Sequence, residues 1–282
     1  MTVNEYFRQA CAELGTALGS EAEGEAAARI VLEDVAGYDR KYLFMYPDRE
    51  LLDETRQRIQ AVVDRIKAGE PVQYAVGRAR FMGMDFKVTP DVLIPRPETE
   101  GLCDMIVREA DGRSDLRVLD IGTGSGCIAV SLARELPFAQ VDAMDVSPAA
   151  LAVARENAQQ LGAKVNFIQD DILTAKAPEA YYDIIVSNPP YVCQSEKADM
   201  DERVSDREPA LALFVPDDDP LKFYRAICRY ASRGLKPGGR LYFEINSRFP
   251  VEMRRLMEDE GFTDVDVTRD YKGNYRFASG KR

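Results

Sequence analysis

The chain has 282 residues, 45% hydrophobic and 30% charged, which is enough for one large domain and a small one with a sizeable core. Its formal charge of −11, from 48 acidic against 37 basic residues, argues against broad phosphate-backbone binding, which needs concentrated Lys and Arg. Histidine is absent, so a mechanism built on a histidine base, orienter or metal ligand is excluded, and no metal is expected.

Residues 1–76 read as helical. Ser20 and Glu23 have the spacing of a capping box ahead of an Ala-rich stretch through Ile30, Val31, Leu32 and Val35. Leu52, Ile59, Val62, Val63 and Ile66 recur at helical spacing, and Gly69 ends that helix. No catalytic constellation occurs here, so a small helical domain serving recognition is expected. Pro71-Val72-Gln73-Tyr74 breaks the pattern, and Phe81 to Val88 reads as two short strands around a Gly turn. Residues 77–95 are therefore assigned to a hairpin and connector. Pro95, Arg96, Pro97, Glu98, Thr99 and Glu100 then lead into a helix through Leu102, Met105 and Ile106.

From Arg117 onward, strands and helices alternate, the pattern of a parallel sheet covered on both faces, over residues 96–282. Val118-Leu119-Asp120-Ile121 is the first strand, followed by Gly122-Thr123-Gly124-Ser125-Gly126 and a helix from Cys127. The G-x-G-x-G spacing differs from the G-x-G-x-x-G of dinucleotide binders, yet a glycine loop still lets backbone approach a ligand closely. The second strand ends in Asp145, where a carboxylate can accept both hydroxyls of a ribose. A third strand, Val165 to Ile168, ends in Gln169-Asp170-Asp171, either acid of which could accept from an adenine amino group. The fourth, Asp183-Ile184-Ile185-Val186, runs into Ser187-Asn188-Pro189-Pro190-Tyr191. Two prolines cannot join a ladder, and Asn188 before a proline is extended. The Asn188 amide and the Pro189 carbonyl are then two acceptors on a stiff backbone, beside an aromatic ring, suited to gripping a planar NH2 group.

These tips together resemble the class I S-adenosylmethionine-dependent methyltransferases with an Asn-Pro-Pro-Tyr motif. More closely, the chain resembles the release-factor glutamine N5-methyltransferases (the PrmC/HemK family) over nearly its whole length. Besides the motifs above, the resemblance rests on Pro71 to Tyr74, Phe81, Ile94 to Glu100, Glu208-Pro209, Ala212-Leu213 and Leu235-Lys236-Pro237-Gly238-Gly239. The chain departs from the family at Asp217-Asp218-Asp219-Pro220 and at Asn246-Ser247-Arg248-Phe249, which puts substrate positioning in question rather than reaction type.

The resemblance implies an α/β fold: a small N-terminal helical domain joined by a β-hairpin to a Rossmann-like domain with a seven-stranded, mostly parallel sheet. One strand would be antiparallel, with residues 275–279 in the last. It implies S-adenosylmethionine as donor, leaving as S-adenosylhomocysteine. Donor contacts fall on Asp120, Gly122, Thr123, Gly124, Gly126, Asp145, Asp171 and Asn188. Asn188, Pro189 and Tyr191 would be catalytic, and these with Pro190, Arg96 and Glu98 would hold substrate, the glutamine of the Gly-Gly-Gln motif in peptide chain release factors. The same grip suits the exocyclic amino group of adenine or guanine in DNA or RNA, a second reading that the acidic charge and the Ile94–Glu100 stretch disfavour. The chain also lacks a signal-peptide pattern, an apolar run that could span a membrane, and paired cysteines among Cys11, Cys103, Cys127, Cys193 and Cys228. A monomer in the cytoplasm is expected.

Overall fold

Thr2 starts the first helix, α1 (Val3–Leu18): its hydroxyl accepts from the Glu5 N–H at 3.2 Å, and the Glu5 carboxylate accepts from the Thr2 N–H at 2.7 Å. Two donors that a helix start leaves unpaired are thereby satisfied. Ser20 caps α2 (Glu21–Ala36) on one side only, accepting from the Glu23 N–H. Its own N–H closes α1 on the Gly15 carbonyl, and the Glu23 carboxylate accepts from Arg203 instead, so the expected box is half formed. α1 and α2 approach so closely at Gly24 that a Cβ there would lie 2.3 Å from the Gly15 nitrogen. α3 (Arg40–Met45), α4 (Asp53–Lys67) and α5 (Val72–Val76) complete this unit around buried Tyr6, Leu14, Leu32, Ile59 and Ile66. The computed structural model describes residues 1–110 and 112–282. Residues 1–78 form one compact unit, joined by residues 202–207, whose Arg207 donates to the Ala68 carbonyl.

The second unit comprises residues 79–201 and 208–282. β1 (Arg78–Phe81) and β2 (Met84–Lys87) form the hairpin ahead of α6 (Pro97–Glu109). Although the sequence reads as a connector here, Phe81 and Phe86 are fully buried, edge to face, in the core of this unit. Two large aromatic rings gain too much from burial to stay in a solvated linker.

β3 (Arg117–Ile121), α7 (Cys127–Glu135), β4 (Gln140–Asp145), α8 (Pro148–Gln160), β5 (Val165–Gln169) and β6 (Tyr182–Ser187) follow. After a short β7 (Val192–Cys193), the one-turn helices α9 (Glu202–Ser205) and α10 (Ala210–Leu213) lead to β8 (Phe214–Val215), which pairs with β7. Then come α11 (Lys222–Gly234), β9 (Leu235–Glu244), α12 (Pro250–Asp259), β10 (Thr263–Arg269) and β11 (Tyr275–Lys281).

One seven-stranded sheet has the order β10-β11-β9-β6-β3-β4-β5. β5, β4, β3, β6 and β9 run parallel, and β11 lies antiparallel to both β9 and β10. This is the α/β architecture that the alternation and the resemblance call for. Successive strand residues face opposite sides, as period-two geometry demands. Val118 and Ile184 pack with Leu102, Ile106 and Val130, while Leu119 and Ile185 pack with Ile227 and Met253. Register brings the strand tips level: Ile121 pairs with Met144 and Ser187, Asp145 with Gln169, and Ser187 with Phe243. That carboxyl edge is where open α/β sheets bind ligands.

Candidate active site

A cavity of about 290 Å³ opens at this edge. Gly122, Gly124, Asp145, Asp171, Asn188 and Pro189 line it, together with Pro190 and Asp170. The glycine loop is fastened from below: the N–H groups of Gly122 and Thr123 both donate to the Met144 carbonyl, at 2.8 and 3.0 Å. Gly122 and Gly124 have φ of +74° and +55°, and a Cβ added at either would meet no atom within 4 Å. Glycine is used there for a left-handed backbone, and the bare backbone leaves space for a ligand. At Gly126 the reason is packing as well, since a Cβ would lie 3.0 Å from that of Ala154 on α8.

Asp145 is less free than its place at a strand tip suggests. Its Oδ2 accepts from the Gly124 N–H and its Oδ1 from the Ser147 N–H, both at 2.9 Å. Each carboxylate oxygen keeps further acceptor capacity for a ligand hydroxyl. Burial raises the Asp145 pKa, and the backbone donors oppose that rise. Asn157, fully buried on α8, is a support that the sequence did not single out. It exchanges two hydrogen bonds with the Lys87 backbone and donates to the Ser125 carbonyl at 2.8 Å, tying hairpin, loop and helix together.

Ser187 ends β6 by donating to the Ile121 carbonyl at 2.6 Å, so Asn188 stands beside the glycine loop. The Asn188 Nδ2 donates to Thr99 at 3.4 Å. Neither Asn188 Oδ1 nor the Pro189 carbonyl accepts a hydrogen bond from another described residue. Two acceptors thus remain at the cavity wall, the arrangement that could hold an NH2 group.

Six of the residues assigned to the site from sequence do not line this cavity. Tyr191 does not line the cavity: its ring packs against the core on α11 and its hydroxyl donates to Glu244 Oε1 at 3.0 Å. Burial, and then the Glu244 charge, push the Tyr191 pKa far up, so the hydroxyl stays a donor. Arg96 donates to Glu208 at 2.5 Å and Glu98 accepts from Lys272 at 2.5 Å, which makes the connector a tied strap. Asp120 is buried behind the loop, where it accepts from the Thr123 hydroxyl at 2.6 Å. Alternation along β3 causes this: Leu119 and Ile121 face one core, so Asp120 faces the other. Gly126 and Thr123 belong to the loop but not to the cavity lining. Among the departures, Asn246 donates to the Tyr191 carbonyl and to Glu196, both at 3.0 Å, and so braces the motif.

Asp120 carries a pH consequence. Burial pushes its carboxyl up to about 7 despite the Thr123 hydroxyl, and its Oδ1 has no side-chain or backbone partner among the described residues. An unfolded aspartate titrates near ~3.9. Between these values the folded chain holds a proton that the unfolded chain has lost, so stability from this group falls as pH rises through that window. Asp120→Asn should therefore flatten the dependence: thermal melts from pH 5 to 8 should show the wild type losing Tm relative to the variant. Parallel Tm–pH curves would contradict this.

Residues 5–77 match the family described as PrmC N-terminal domain, and residues 102–206 match the Methyltransferase small domain. The chain is 46% identical over 262 residues to a release factor glutamine methyltransferase of Bacteroides thetaiotaomicron, covering 92% of this chain and 93% of that one. It is 38% identical to a protein of the same name from Koribacter versatilis, over 100% of this chain and 99% of that one. Among solved structures, a 16S rRNA methyltransferase of T. thermophilus, in complex with AdoMet and guanosine, superposes with a TM-score of 0.54 at 21% identity. It covers 73% of this chain and 49% of that one, a likeness of fold.

Proposed function

Because the chain belongs to the release factor glutamine methyltransferases, we propose that it methylates the side-chain amide nitrogen of the Gly-Gly-Gln glutamine in peptide chain release factors. The methyl comes from S-adenosylmethionine. The observation that carries the reading is the pair of unused acceptors, Asn188 Oδ1 and the Pro189 carbonyl, on the wall of the strand-tip cavity. Gly122 and Gly124 leave that cavity floor bare, Asp145 keeps lone pairs for ribose hydroxyls, and Asp171 stands at the next tip. Ile172, Phe223 and Ile227 supply an apolar wall for a base.

The donor supplies an electrophilic sulfonium methyl group. A glutamine amide nitrogen is a poor nucleophile because its lone pair is delocalised into the carbonyl. Full deprotonation would need a very strong base, and the chain has no histidine. Asn188 Oδ1 and the Pro189 carbonyl instead accept the two N–H groups of the substrate. As positive charge develops on nitrogen both bonds strengthen, so the acceptors act chiefly in the transition state. Fixing the nitrogen in an attacking position supplies much of the remainder. Pro190 keeps the backbone stiff, and Tyr191 braces it from beneath. The proton leaves to water after transfer. The test is transfer of radiolabelled methyl to purified release factor, DNA and ribosomal RNA, with label on the release factor expected. Label on nucleic acid alone would replace this reading by methylation of an exocyclic base amine.

The helical domain, residues 1–76, is assigned to partner recognition, with the enzyme acting as a monomer in the cytoplasm. One glutamine offers little surface for choosing a protein, whereas standard interfaces bury ~1,600 Å². On α3 and the segment after it, Phe44 is 86% exposed, and Met45, Tyr46 and Leu52 are also exposed. Three consecutive exposed large apolar residues, Phe44 to Tyr46, are the feature on which this assignment rests. Phe44→Ser should lower kcat/KM on intact release factor about tenfold, the loss of a modest aromatic anchor. The same variant should treat a short Gly-Gly-Gln peptide as the wild type does. Unchanged kcat/KM on the intact factor would remove this face from the interface.

A further inference from the structure

Beneath Asn188 lies a line of polar side chains that the mechanism leaves unused, and we infer that it sets which way the Asn188 amide faces. The inference rests on the role just proposed for Asn188. Its Nδ2 donates to the Thr99 hydroxyl at 3.4 Å, and Thr99 donates to Glu244 Oε2 at 2.6 Å. On the other carboxylate oxygen, the Tyr191 hydroxyl donates to Oε1 at 3.0 Å, and Arg276 Nη1 donates to that hydroxyl at 3.5 Å. Thr99 is 2% and Glu244 1% exposed.

Burial raises the Glu244 pKa, against the opposing pull of the Thr99 and Tyr191 hydroxyls and of Arg276. With Glu244 ionised, the chemistry of the two ends sets the direction of every bond between them. A guanidinium only donates and a carboxylate only accepts. Tyr191 therefore receives from Arg276 and gives its one proton to Glu244. Thr99 also has one proton and spends it on Glu244, so it shows Asn188 nothing but lone pairs. An amide meeting lone pairs must turn its NH2 toward them. That turn leaves Oδ1 as the group available to the substrate amide. With the amide reversed, Oδ1 would face the lone pairs of Thr99, and an NH2 would confront the substrate NH2 with no acceptor between them. Burial shuts out the water that could otherwise satisfy either arrangement. Thr99 and Glu244 are thus positioning residues: they touch neither substrate nor donor, and they act through the orientation of Asn188.

Steady-state methyl transfer to intact release factor tests this, alongside calorimetric titration with S-adenosylmethionine. Thr99→Val should lower kcat about tenfold, the rate equivalent of one ordinary hydrogen bond, without changing donor affinity. Thr99→Ser, which keeps the hydroxyl, should restore most of that loss. In the Asn188→Ala background Thr99→Val should add no further loss, because there is no amide left to orient. Glu244→Gln keeps size and hydrogen bonding but can donate to Thr99, freeing the Thr99 proton to point the wrong way, so it should also lower kcat. Wild-type kcat for Thr99→Val, or an equal loss in the Asn188→Ala background, overturns the inference. If Thr99→Val does not fold, Glu244→Gln decides alone, and full kcat there overturns it. Wild-type turnover by Asn188→Ala would instead sink the role of Asn188 itself, whereas a slow Asn188→Ala with a fast Thr99→Val sinks only the orienting line.

Discussion

Asn188→Ala should lower turnover on release factor by about 10²–10³, by analogy with the loss of one preorganised oxyanion-hole donor, while donor affinity stays near the wild-type value. The reasoning starts from where charge appears. In the ground state the substrate amide is neutral, and water could satisfy its N–H groups almost as well as Asn188 does. During methyl transfer the nitrogen becomes cationic, and an acceptor already in place strengthens without reorganising. Removing it should show in kcat rather than in the dissociation constant of the donor. Asn188→Asp keeps an acceptor yet adds a charge beside Thr99, which can spare no proton for it while bonded to Glu244. This variant should be impaired as well. Wild-type turnover for Asn188→Ala would refute the mechanism.

Asp145→Ala should weaken S-adenosylmethionine binding by at least about a hundredfold. One hydrogen bond to a charged group contributes roughly 1.5–3 kcal/mol, and each 1.4 kcal/mol is tenfold in affinity. The alanine removes both proposed ribose contacts. It also releases the Gly124 and Ser147 N–H groups, which fix the glycine loop and the start of α8. Asp145→Asn retains one carbonyl acceptor and should fall between wild type and alanine. An unchanged dissociation constant for the alanine variant would move the ribose contact to another residue.

The half of the proposed site that lines the cavity was legible from local pattern. Glycines at alternate positions after a strand, an acid at the next strand tip and paired prolines after an asparagine act over a few residues. Their meaning therefore survives without the fold. Gly122, Gly124, Asp145, Asp171, Asn188 and Pro189 all meet at one cavity. The role of the connector was less legible. Arg96 and Glu98 look like charged groups awaiting a substrate, and in the folded chain Glu208 and Lys272 take them up.

By itself, the sequence determined the class of fold and which residues stand at the carboxyl edge, because strand and helix periods, proline and glycine constrain backbone locally. Tertiary structure alone decided what stands behind that edge. Thr99 and Glu244 are 145 residues apart, and Thr99 and Asn188 are 89 apart. They meet only because β6 lies beside β9 in a register that pairs Ser187 with Phe243, which sets Glu244 next to Asn188. A hydrogen bond depends on tenths of an ångström and on which group donates. No spacing along the chain encodes that for residues on separate elements. Packing α6 against the sheet decides it, and with it the contacts through which Glu244 is proposed to orient Asn188.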